Sequence, residues 1–237
     1  MSENIKKITK AFVVDLDSRE NQNIILKPST RPFNNQAHQV NEVPAKIAEK
    51  IYNLIKDAKH SNDDIILNHN KIKEAFFSPF KPQLKSAQVF LSHSHADKNK
   101  ALKVKNYLES ETNHRVFIDS LFWDYKNNVL KEIKKHHIDV SRIEDAFTLI
   151  LRESLQNMIE KCPYFVFLQS NNSVSNQELS RITYSAWVYE ELKIAHSIRE
   201  SRPTPMMESW QVFHNISPFL ESLETITLKK LSRIINS

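Results

Sequence analysis

The 237 residues suffice to bury a core in one ordinary domain, or in one domain with a modest extension, and 40% hydrophobic against 26% charged residues excludes a disordered or fibrous chain. Thirty-three Lys and Arg against 28 Asp and Glu leave a net charge of +5, spread along the chain and not gathered in a patch, which argues against a nucleic-acid partner. Glycine is absent, so the glycine-rich phosphate loops of Rossmann and P-loop proteins are excluded as usually built, and any bound nucleotide must be held by side chains and helix N-terminal amides.

The opening, MSENIKKITK, lacks the apolar stretch of a signal peptide, and no apolar run approaches the ~18 residues of a membrane span. A cytoplasmic chain without a membrane partner is expected. Residues 1–84 read as an N-terminal extension packed on a main domain at 85–237. Within it, two short apolar runs at 11–16 and 24–27 can pair as a hairpin. A helix over 44–59 follows, with Asn41 as a cap, Pro44 in its first turn, and Ile47, Ile51 and Ile55 on one stripe.

From Ser86 the pattern alternates strand and helix, as in a parallel sheet with crossover helices. Strands are expected at 87–92, 115–119 and 164–168, the last continuous in apolar residues and therefore central. Helices are expected at 97–110, 126–136, 144–160, 184–199 and 227–235, with a polar loop at 169–182 and a strand at 211–215. The single cysteine, Cys162, stands before the third strand and reads as a small buried hydrophobe.

Three polar sets follow strand ends: Ser92 to Asp97, Asp119 to Trp123, and Gln169 onward. Open α/β sheets bind ligands in the crevice beyond the carboxyl ends of their strands, so these sets locate the site. Drawn as a helix at 100° per residue, the stretch from Tyr184 puts Trp187, Val188, Leu192, Ile194, Ala195 and Ile198 on an apolar stripe. Glu191 falls within roughly 10° of the stripe's centre, whereas Glu190 points about 110° away beside Lys193. A carboxylate in a buried stripe costs several kcal/mol unless compensated, either by a salt bridge to an arginine or by a pocket that it lines.

Three segments, in this order, resemble a known family. Val89-Phe-Leu-Ser-His-Ser-His-Ala-Asp-Lys98 is similar to the first strand and loop of a bacterial TIR domain, and Val116-Phe-Ile-Asp119 resembles its second strand. Ser185-Ala-Trp-Val-Tyr-Glu-Glu-Leu192 is similar to the helix that bears the family's NAD-cleaving glutamate, which falls on Glu191. The turn Asp119-Ser-Leu-Phe-Trp123 and the run Asn171-Asn-Ser-Val174 look most like TIR proteins of Thoeris-type anti-phage systems. The resemblance implies a flavodoxin-like TIR fold, a central parallel sheet flanked by helices. It also implies an enzyme that takes NAD as substrate and releases nicotinamide with ADP-ribose or a cyclic ADP-ribose signal. Self-assembly into homo-oligomers and a separate effector protein answering the product are implied partners. The chain lacks the glycine that many TIR domains carry after the second strand, which argues against adaptor-style contacts through that loop.

One carboxylate can serve this chemistry. Nicotinamide departs from NAD as a neutral base, so the demand falls on the positive charge that develops at the ribose and not on a general acid. Glu191 is the catalytic candidate. Ser92, His93 and Ser94 are candidates for binding the pyrophosphate or a ribose, with local capping as the plain alternative. Asp119 suits a ribose hydroxyl or a turn, Trp123 suits stacking on a base, and Trp187 suits support of Glu191 by packing. Asp97 reads as a helix cap. His93 and His95 have no carboxylate or cysteine to complete a metal set, so no metal is expected. The rival classes are a non-enzymatic TIR assembly module and a nucleotide sensor that binds without turnover.

Overall fold

The computed structural model describes residues 10–27, 44–57, 59–61, 64–66, 68–78, 86–137, 141–177, 180–199 and 214–237. In chain order these form β1 (Lys10–Asp15), α1 (Arg19–Ile25), α2 (Pro44–Lys56), β2 (Lys59–Ser61), β3 (Asp64–Ile66) and α3 (His69–Phe77). Next come β4 (Ala87–His93), a single 3-10 turn at His95–Asp97, α4 (Lys98–Thr112), β5 (Arg115–Ile118), α5 (Ser120–Lys134) and α6 (Ser141–Lys161). The chain continues through β6 (Tyr164–Gln169), β7 (Ser175–Gln177), β8 (Ser180–Thr183), α7 (Ala186–Arg199), β9 (His214–Asn215), α8 (Ser217–Glu221), β10 (Glu224–Thr225) and α9 (Leu228–Asn236). They fall into two units, one drawn from residues 1–30, 86–119 and 155–237, the other from 31–85 and 120–154.

The first unit is built on a five-stranded sheet in the order β10-β1-β6-β4-β5, parallel throughout. Counted from β4, the order β5-β4-β6-β1-β10 is the 2-1-3-4-5 of a flavodoxin-like sheet, with the fourth place filled by the N-terminal strand. The fold is α/β and flavodoxin-like. Its inner strands read as unbroken apolar runs, Phe12 to Val14, Val89 to Leu91 and Phe165 to Leu168, all buried, as strands covered on both faces require. Phe90 stacks on Phe165 with ring centres 5.8 Å apart and lies 5.8 Å from Phe117, so these aromatic side chains share one face across three strands.

Three expectations are corrected here. The runs at 11–16 and 24–27 do not pair as a hairpin: the first forms β1, hydrogen-bonded between β6 and β10, and the second begins in the last turn of α1. Residues 10–15, expected in an extension, thus belong to the central sheet. The reason is local. The Ser18 hydroxyl caps α1 by accepting from the Asn21 amide at 3.4 Å, and Asn21 Nδ2 donates to the Asp15 carbonyl at 2.7 Å, so a helix starts where a hairpin would turn. The expected polar loop after β6 in turn holds β7 and β8, which pair antiparallel, and β8 also pairs with β9.

The second unit gathers α2, α3, α5 and most of α6 with the β2-β3 pair. Ile47, Ile51 and Ile55 of α2 are buried as their spacing requires, and Phe76 packs on Phe147 at 5.0 Å between ring centres. Asn41, the expected cap of α2, lies outside the described residues.

Candidate active site at the carboxyl ends of the parallel strands

Ser185 sets where α7 begins. Its Oγ accepts from the Val188 amide at 3.2 Å, and its own amide donates to Thr183 Oγ1 at 3.1 Å, so β8 hands over to the helix at Ala186 and not at Tyr184. From that start, Val188, Leu192, Ile194 and Ala195 turn inward and Glu191 turns with them, to 0% exposure. Glu190 is directed elsewhere, its carboxylate 3.5 Å from Lys193 Nζ. Trp187 is half-buried, and Ile198 carries no described side chain.

The strand register brings Glu191 its neighbours. Leu91 pairs with Ile118 and Phe90 with Phe117, so Ser92 and Asp119 come level at the ends of β4 and β5, on the face that carries the phenylalanines. Both flank Glu191. Neither Glu191 oxygen has a well-directed hydrogen-bond partner among the described residues, and no basic group balances it. Burial first, and then the charge of Asp119, push the Glu191 carboxyl well above the ordinary carboxylate range, with the Ser92 hydroxyl pulling weakly the other way. Among the described residues, no salt bridge to arginine, the alternative open on the sequence, compensates Glu191. His93 adds a third buried titratable group, with Nδ1 3.0 Å from Asp119 Oδ1.

A second set of contacts fixes the loops around this group. Asp97 does not cap α4 through its side chain. Instead its buried carboxylate accepts from the Ser170 hydroxyl and from Asn172 Nδ2 at 2.8 Å, with Lys100 Nζ 3.7 Å away, so it ties the loop after β4 to the loop after β6. Asp17, beyond β1, accepts from the Asn171 amide at 2.9 Å and pairs with Lys100 at 3.0 Å. The Asn171 amide holds the Asp17 carboxyl below its ordinary range. Three strand ends are thus joined by side chains in place of backbone loops closed by glycine.

Of the expected site residues, Ser92, His93, Asp119 and Glu191 come together. Ser94 is buried at the head of the 3-10 turn and makes no capping hydrogen bond through its side chain. Trp123 is carried by α5 in the second unit, and its side chain lies outside the described residues. The acidic latch of Asp17 and Asp97 is hidden in the sequence, because β1 joins the sheet through partners distant along the chain, and only that pairing sets its polar end beside the other strand ends. Comparison with protein-family models, curated proteins and solved structures finds no match to this chain.

Proposed function

We propose that this chain cleaves the bond between nicotinamide and ribose in NAD, with Glu191 as the catalytic carboxylate. The observation that carries the reading is a carboxyl wholly buried at the ligand-binding edge of a parallel sheet, with an acid and not a base for a neighbour. Such a group destabilises the resting fold, and the burden is relieved when a cation enters. The nicotinamide ribosyl group of NAD is that cation. As the bond from C1′ to nitrogen breaks, its electron pair leaves with nicotinamide, and the positive charge passes to the ribose against Glu191. Water then adds to C1′ and gives up a proton, yielding ADP-ribose, or a nucleophile within the same molecule closes a cyclic ADP-ribose.

Ser92, beside Glu191, is suited to a ribose hydroxyl or to orienting the carboxylate, and Asp119 and His93 complete the polar wall. Ser94 and Trp187 remain candidates for substrate contact. The family resemblance supports the same reaction, in an anti-phage setting with self-assembly and a separate effector.

Incubation with NAD and chromatography of the products tests the proposal. Nicotinamide release is expected from the full chain, at least about a hundredfold slower from Glu191→Gln and nearly unchanged in Glu190→Gln. Equal effects of the two substitutions would remove Glu191 from the chemistry, and binding of NAD without any turnover would make the chain a sensor.

A further inference from the structure

Glu191 is not the only buried polar group here without a matched partner. His93, the last residue of β4, is buried, and neither ring nitrogen makes a directed hydrogen bond to a described residue. Its Nδ1 nevertheless stands 3.0 Å from Asp119 Oδ1. Asp119 is the acidic neighbour of Glu191, while the imidazole is not among the groups that act on Glu191. The contacts therefore run imidazole, carboxyl, carboxyl, with Asp119 in the middle. Two acids side by side in a dry site share a proton, because ionising both is costly.

We propose, deepening the reading of Glu191 as the catalytic carboxylate, that His93 is a positioning residue acting through Asp119: the imidazole, its Nδ1 3.0 Å from Asp119 Oδ1, favours negative charge on Asp119, which leaves the shared proton on Glu191 until a cation enters. Among the described residues, the other charged groups nearby are already engaged. On α7, Glu190 faces Lys193. Beyond β4, Asp97 is held by Ser170, Asn172 and Lys100. The uncharged group facing Glu191 is the Ser92 hydroxyl. The consequence is selectivity for charge: a resting neutral Glu191 offers little to an uncharged ligand, and ionises, passing the shared proton to Asp119, only against a ligand that delivers a positive centre to it, as oxidised NAD does and its reduced form does not.

The test reads the Glu191 carboxyl directly. Protein labelled with carbon-13 at the glutamate side-chain carboxyl is titrated by NMR, and the Glu191 signal is the one missing from Glu191→Gln. Asp119→Asn removes the neighbouring charge and lowers the midpoint. His93→Phe removes the imidazole nitrogen that favours the charge on Asp119, so the proton moves toward Asp119 and the Glu191 midpoint again falls. His93→Asn, whose amide nitrogen replaces Nδ1, brings it back toward wild type. Should the phenylalanine variant not fold, His93→Gln lacks a donor at the same atom and is expected to lower the midpoint too. A midpoint that stays at the wild-type value without the His93 donor, or rises, overturns the proposal, since a merely structural histidine would alter stability and leave this titration in place. Because the midpoint is read without NAD, the two readings fail separately: the expected shifts in a protein that releases no nicotinamide overturn the NAD reading, and an unmoved midpoint in an active enzyme overturns the role of His93.

Discussion

At Glu191 the cost of burial is written in protons. Burial and Asp119 raise its folded-state pKa above the value in the unfolded chain, so the native state holds this proton more tightly. The associated stability is fully present below the unfolded glutamate's pKa and is lost as pH rises through the folded-state value. Glutamine is neutral at every pH. Glu191→Gln is therefore expected to melt close to wild type in acid and progressively above it as pH rises, while losing turnover. Melting curves across a pH series check this, and a variant less stable than wild type at neutral pH would mean that the carboxylate is compensated after all. The helical stripe made the inward direction of Glu191 legible in the sequence, because side-chain direction follows from spacing alone. What met it there was not legible: Asp119 and Ser92 arrive through strand register, which spacing within α7 cannot reveal.

Among the elements, a chain without glycine must still end its helices. The left-handed positions that glycine usually fills are taken by Asn113 at φ 53°, after α4, and by His137 at φ 58°, after α5. Asparagine tolerates this region through its short polar side chain, whereas histidine meets more of the Cβ penalty of about 1–2 kcal/mol. Glycine removes that penalty and returns about 0.5–1 kcal/mol in backbone entropy. His137→Gly is thus expected to stabilise the protein by up to about 1 kcal/mol in urea denaturation, and Asn113→Gly by less. Loss of stability at His137 would show that its side chain contributes more than its backbone costs. The apolar helices and inner strands were legible because their periodicity is strong. The β7-β8 pair was not, since Ser175–Gln177 and Ser180–Thr183 are polar and short, and only pairing makes them strands.

At the scale of the first unit, the three strand-helix steps from β4 to β6 were readable, but the place of the N-terminal run was not. A parallel strand is assigned by partners distant in sequence, and β1 finds them in β6 along its whole length and in β10 at Phe12 and Val13. Its position decides whether the segment from residue 86 onward can stand alone. Removing β1 strips β6 of a neighbour, leaves β10 with none in the sheet, and takes away the buried side chains of Phe12, Val13 and Val14. Burial of side chains this large contributes about 1.5–3 kcal/mol each. Together they rival the whole net stability of a typical domain, about 5–15 kcal/mol. A fragment spanning residues 86–237 is therefore expected to lack a cooperative thermal transition and to release no nicotinamide, although it contains Glu191 and every segment that resembles a TIR domain. In the full chain, Val13→Asp is expected to have a similar effect, because it sets an unpaired charge between β6 and β10. Calorimetry of both proteins beside the full chain decides the matter: a fragment that melts cooperatively near the full chain's Tm would show that β1 is an accessory to the sheet and not one of its working strands.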